Sequence, residues 1–293
     1  MARARRLSPD RSLIRHLPWA GEAYSLGAIA VWVCFQSVDG PRELMAKQPY
    51  IGTCRLCREE AALVDSHVVP AFLFKPLKKV EGRYSIMSTD PDVGERTGQR
   101  GITERLFCAK CDNERLQRNE EHLARVFNGG CALQVQPGDH ALHVQGYDYR
   151  RVKNALVSVL WRMSISKDSY FSEVSLGSRH EERIRQVLLG DLKLGEDEYA
   201  VGMTAPYLDG THYPDWILSP DSIRLGHNRL YRCLIAGLLF TFDVGSAPPD
   251  EILGPLILRE SGWLIPKADV QSIPFLAEFC ERVAKTQAAR LAP

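Results

Sequence analysis

The stretch Cys54-Arg55-Leu56-Cys57, answered by Cys108-Ala109-Lys110-Cys111, decides how the N-terminal part of this chain folds. A two-residue gap lets both thiolates of a pair reach one ion. Two such pairs supply the closed tetrahedral sulfur set of a structural zinc site. A redox C-x-x-C belongs at a strand-to-helix turn, and here only the second pair precedes a helical pattern. Cys54, Cys57, Cys108 and Cys111 are therefore expected to hold one structural Zn2+. The module they enclose, Tyr50 to Phe127, is too short and loop-rich to bury much apolar surface alone, so it should be unfolded or molten without metal.

The other four cysteines, Cys34, Cys131, Cys233 and Cys280, are scattered through apolar or loop sequence. They make no secreted disulfide framework and suit small core residues in a reducing, cytoplasmic compartment. A length of 293 residues allows two domains of ordinary size, and 45% hydrophobic content with 25% charge excludes a disordered chain. With 37 basic residues against 36 acidic ones, no bulk positive field exists, so any nucleic-acid binding must come from local patches. Residues 1–44 place five arginines before the apolar run Leu26 to Phe35, which is too short to span a membrane and lacks a clean cleavage site. They are expected to be an N-terminal extension, mis-started upstream of Met45 or without fixed structure.

Outward from the first pair, Glu81 to Gly101 has the glycines and charges of an exposed loop. After Cys111, Leu116, Leu123, Val126 and Phe127 recur at helical spacing until Asn128-Gly129-Gly130. His140 to Tyr149 reads as a strand and turn, and Arg150 to Ser166 as an amphipathic helix with Val152, Leu156, Val159, Leu160 and Met163 on one face. Ser178-Arg179-His180-Glu181 has the pattern of a capping box opening a helix that stops at Gly190. Tyr199 to Ala205, Trp216 to Leu218 and Leu230 to Val244 suggest strands, the last one broken or bulged near Gly237. Leu256 to Ile265 suggests a hairpin about Glu260-Ser261-Gly262, and Pro274 opens a closing helix. Helices followed by strands imply an α+β C-terminal domain, 131–293, of unknown role.

Between the cysteine pairs lies Ser66-His67-Val68-Val69-Pro70. With the knuckles that frame it, this run resembles the HNH endonuclease family, most closely bacterial HNH-like proteins with Ser-His-hydrophobic-hydrophobic-Pro. The resemblance covers Cys54 to about Glu121 and, more weakly, Ala155 to Leu189. It implies a treble-clef ββα zinc module over residues 45–130 and metal-dependent hydrolysis of phosphodiester bonds in nucleic acid. It assigns His67 as general base, with Asp112 and Asn113 beside it and a catalytic Mg2+ or Mn2+ as a second ion. Imidazole, with an ordinary pKa of about 6.5, is neutral enough near pH 7 to accept a proton. Three positions depart from the family pattern: Ser66 stands where an aspartate commonly binds the catalytic metal, Thr103 aligns with the expected asparagine, and Asp112 follows the second knuckle.

The same residues also admit structural roles. His67 suits a hairpin contact beside the zinc, and Asp112 and Asn113 suit a helix N-cap. Glu121 is a further carboxylate, set more than a turn along the helix. Lys75, Lys78, Lys79, Arg83, Arg96, Arg100 and Arg105 offer cations to phosphates, though acidic residues are interleaved with them. His140 and His143 lack a partner at metal-ligand spacing, and Trp161-Arg162 suits core and cap. A non-catalytic zinc module that binds nucleic acid or a protein partner is thus the alternative to a nuclease. Neither membrane association nor an oligomeric state is indicated.

Overall fold

The computed structural model describes residues 49–74, 84–86, 96–98, 101–214 and 216–291. The N-terminal extension and most of the basic insert lie outside the described residues. Strands β1 (Ile51–Thr53), β2 (Glu60–His67), β3 (Tyr84–Ile86), β4 (Arg96–Gly98) and β5 (Thr103–Cys108) form two small antiparallel sheets, β1-β2-β5 and β3-β4. The chain leaves β5 directly into a helical run. Cys111–Leu116 is wound as a π-helix and α1 (Gln117–Phe127) continues it as an α-helix.

Beyond it, β6 (Gln134–Pro137) and β7 (Ala141–Gln145) form a hairpin. Helix α2 (Tyr149–Ile165) starts on Asp148, whose side chain accepts from the Arg151 amide at 3.1 Å. It was expected to bury one face; instead it is buried all round, from Val152 to Met163 with the exception of Asn154. Phe107 of β5 stacks on Trp161, centroids 5.6 Å apart, so this helix packs against the cysteine module through a tryptophan expected in the core.

Helix α3 (Ser178–Leu189) ends as expected at left-handed Gly190, but the capping box does not form. Gly177, at φ +77°, is the N-cap, and Glu181 turns away to accept from the Ser164 hydroxyl at 2.8 Å.

The remaining strands are β8 (Ala200–Tyr207), β9 (Leu218–Leu225), β10 (Asn228–Ile235), β11 (Leu238–Val244) and β12 (Trp263–Asp269). With β6 and β7 they build a seven-stranded sheet, ordered β6-β7-β12-β8-β11-β10-β9, antiparallel except where β12 runs parallel to β8. The run Leu230 to Val244, expected as a strand broken or bulged near Gly237, is broken there: it forms a hairpin turning at Ala236 and Gly237 with φ of +53° and +71°. Such paired positive φ values mark the type I′ turn, whose twist suits adjoining strands. The turn at Glu260-Ser261 is present, as an Arg259–Gly262 bridge, but Ile257 pairs with Gly202 rather than across a hairpin.

Helix α4 (Pro274–Leu291) begins at the proline and packs Leu276 and Phe279 with Leu218, Leu234, Leu239 and Val270. A larger cluster joins Leu56, Phe107 and Leu123 of the N-terminal part through Leu160 to Val201 and Phe240 of the sheet. Phe127 stacks on Phe240 with centroids 6.3 Å apart. The whole is a mixed α/β architecture of sheets and four α-helices among the described residues.

Candidate metal centre and its surroundings

The first cysteine pair sits on a tight turn between β1 and β2. Arg58 adopts φ +67° there, its amide donating to the Cys54 carbonyl at 2.8 Å, while the Cys54 amide donates to Glu59 O at 2.9 Å. The Arg55 amide bonds Leu106 O of β5 at 2.9 Å, which ties the turn to the strand that delivers the second pair. All four sulfurs fall within 4.8 Å of one another, and Cys57 Sγ lies 4.0 Å from Cys108 Sγ. A tetrahedral site with Zn–S bonds of about 2.3 Å has sulfurs about 3.8 Å apart, so this donor set fits zinc in number, softness and spacing. Among the described residues, these cysteines are the one group of three or more His, Cys, Asp or Glu side chains to converge so.

The thiols are also wired for a cation. Burial works to raise Cys54, but amide N–H groups of Cys108, Cys57 and Leu56 outweigh it and hold the group below its ordinary value. The Cys108 amide donates to Cys54 Sγ at 3.4 Å. Burial, with repulsion from the neighbouring sulfurs, drives Cys111 well up. Four thiolates cannot coexist unaided in this space; a bound divalent ion removes that conflict.

Helix α3 braces the first turn from outside. Arg185 donates to Leu56 O at 2.8 Å, and Glu182 pairs with both Arg185 and Arg58.

His67 ends β2, opposite Thr103 on β5. Just before it the register slips: Val64 faces Phe107 but Ser66 faces Glu104, so β5 bulges by one residue. As strand alternation requires, Ser66 is buried while Asp65 is exposed and pairs with Arg105 at 3.3 Å. The Ser66 hydroxyl donates to Val64 O at 3.4 Å and also acts on the carboxyl of Asp112, the residue after the last cysteine. Burial raises that carboxyl above its ordinary range; Ser66, Arg162 and His67 oppose the rise, and Glu120 adds to it.

Asp112 and Asn113 lie inside the helical run, whose preceding Lys110 is already helical, so neither is an N-cap. Asp112 is half-buried toward Ser66; Asn113 is exposed. Glu121 is exposed as well and holds Gln117 at 2.8 Å. His143 lies within β7 and joins no metal-binding group.

Two further participants, Arg162 and Glu120, had no site role in the sequence, where Arg162 was expected only in core or cap. Arg162, 1% exposed on α2, donates to the His67 carbonyl at 2.7 Å and pairs with Glu120 of α1 at 2.7 Å. A buried charge demands such partners, and an arginine inside the apolar stretch Leu156 to Met163 was the available signal. His67, Asp112 and Glu120 do not bring their ligand atoms together as the cysteines do.

Comparison with protein-family models, with curated proteins and with solved structures returned no match to this chain. No helix among the described residues is long and apolar enough to cross a membrane.

Proposed function

We propose that this chain is a zinc-clamped, HNH-like hydrolase of nucleic acid, with His67 as general base. One observation carries the reading. The four cysteines bring the strand that ends at His67 beside the start of the helical run, so the Asp112 carboxyl lies within the influence of Ser66 and of the His67 charge.

In the proposed reaction, water attacks phosphorus, His67 takes its proton, and the bond from phosphorus to the leaving oxygen breaks. A divalent ion such as Mg2+ or Mn2+, when bound, supplies positive charge for the phosphate and the leaving oxygen. Asp112 is the hard oxygen donor available to it. Magnesium is commonly bound through one or two carboxylates plus water and substrate phosphate, and this donor set meets that minimum. Arg162 holds the His67 backbone and neutralises Glu120, so it positions the base rather than taking part in the reaction.

The test is cleavage of plasmid DNA and of structured RNA in Mg2+ or Mn2+. His67→Ala should lower the rate at least about 100-fold while zinc content and melting stay those of the wild type. Equal rates in both proteins, or no cleavage by either, reject the mechanism.

A specific feature favours a second reading. Ser66 stands where the resembled family has a carboxylate, and Glu120 is already engaged by Arg162. A zinc module that binds nucleic acid or a protein without cutting would then remain, and binding without cleavage would identify it.

A further inference from the structure

A groove lined by described residues lies away from the cysteine cluster. It encloses about 810 Å3 between α3 and the end of the sheet formed by β9, β10 and β11. Among the described residues its cations are the arginines Arg179 and Arg183 from α3 and Arg224 and Arg229 from the β9–β10 hairpin, with His227 at the hairpin tip. Two carboxylates also line it, but both are engaged. Glu198 pairs with Arg183 and accepts from the Gly195 amide at 2.9 Å, and Glu182 is held by Arg185 and Arg58.

Arg179 and Arg224 are exposed, and their side chains make no hydrogen bond or ion pair among the described residues. Arg229 has only a 3.4 Å contact with Ser222 Oγ. The lining therefore presents unspent guanidinium groups from two elements that face one space. The backbone beneath is strained: Tyr199 sits at φ +46°, its hydroxyl 2.9 Å from His180 Nδ1. A bulky residue held at positive φ is costly, and such strain gathers at functional sites.

We propose that this groove binds the phosphates of a nucleic-acid strand, as a contact surface separate from the His67 neighbourhood. Guanidinium forks match phosphate oxygens in pairs, which an ammonium cannot do. The choice of a nucleic-acid strand over an acidic peptide rests on the functional reading above.

The experiment uses the full chain carrying His67→Ala, and fluorescence anisotropy of labelled 20-nucleotide DNA and RNA between 50 and 200 mM salt. Adding Arg179→Ala and Arg224→Ala should weaken binding about tenfold or more and flatten the salt dependence by roughly one to two counterions. Arg179→Lys with Arg224→Lys should retain most of the salt slope but lose affinity. Zinc content and melting verify the fold. Unchanged affinity and slope in the alanine variant would overturn the groove and leave the hydrolase reading standing. Binding that depends on these arginines, in a chain that never cleaves, would sustain the groove and remove the hydrolase. Absence of oligonucleotide binding by the parent chain overturns the groove. So does equally tight capture of polyglutamate, or displacement of the oligonucleotide by millimolar inorganic phosphate.

Discussion

The Arg162 guanidinium, carried by α2, donates at 2.7 Å to the backbone carbonyl of His67 at the end of β2. The same guanidinium closes an ion pair with Glu120 on α1, so one buried side chain ties strand and both helices together. Removing one member of a buried pair leaves the other uncompensated. Arg162→Met should cost about 3 kcal/mol, and Glu120→Gln less, because Glu120 is 20% exposed. Urea denaturation measures both; a loss below about 1 kcal/mol for Arg162→Met would contradict the account.

The cysteine cluster makes a prediction about metal. Purified chain should carry one zinc, and a strong chelator should abolish the cooperative melting of the N-terminal module. Cys54→Ser and Cys111→Ser should each do the same without chelator. Full cooperativity in excess chelator would show that the sulfurs are packed without an ion.

Lys153 gives a pH signature. It is 1% exposed on α2, its ammonium donating to Glu196 O at 3.1 Å. Burial pulls its pKa down to about 8, against the attraction of Asp197, Glu198 and Glu196. The folded protein therefore releases this proton more readily than the unfolded chain. The cost of burying the charge is fully present below about pH 8 and is relieved as pH rises toward the unfolded value near 10.5. Lys153→Met should thus stabilise the protein at pH 7 by an amount on the order of 3 kcal/mol, less the lost hydrogen bond. That advantage should shrink steadily between pH 8 and 10. Denaturation of both proteins at pH 7 and 9.5 decides it; a constant difference would remove Lys153 as the cause.

The Ala236-Gly237 turn separates two adjacent residues. A Cβ on Gly237 would lie 2.2 Å from Tyr213 O, at φ +71°, so Gly237→Ala should cost about 1–3 kcal/mol. Ala236→Gly relieves one left-handed alanine but loosens the unfolded chain, so the two effects nearly cancel, within about 0.5 kcal/mol. Thermal melting of both variants checks the contrast.

Much of this could be read from the residues, for identifiable reasons. The cysteine pairs announced the cluster because two-residue spacing has few other uses. Gly190 and Pro274 marked helix ends because their backbones permit little else there. The break near Gly237 was legible, but its turn type was not, because alanine carries no signal for positive φ and Cys233 to Phe240 is apolar on both sides of it. Strand β9 was largely missed because Ser219-Pro220-Asp221-Ser222 has turn composition; a proline is tolerated there because β9 is an edge strand. The Glu120–Arg162 pair joins helices distant in sequence, and no local pattern reports that.

The parallel placement of β12 beside β8 bears on how the chain is made. Until Trp263–Asp269 emerges from the ribosome, the β6–β7 hairpin and the four-strand unit β8-β11-β10-β9 have no strand to join them. During synthesis each half-sheet must wait with an open edge, the condition in which nascent chains pair wrongly or need a chaperone. Closure by a late, sequence-distant strand also implies slow folding, so this protein should mature well after its zinc-bearing segment has been translated.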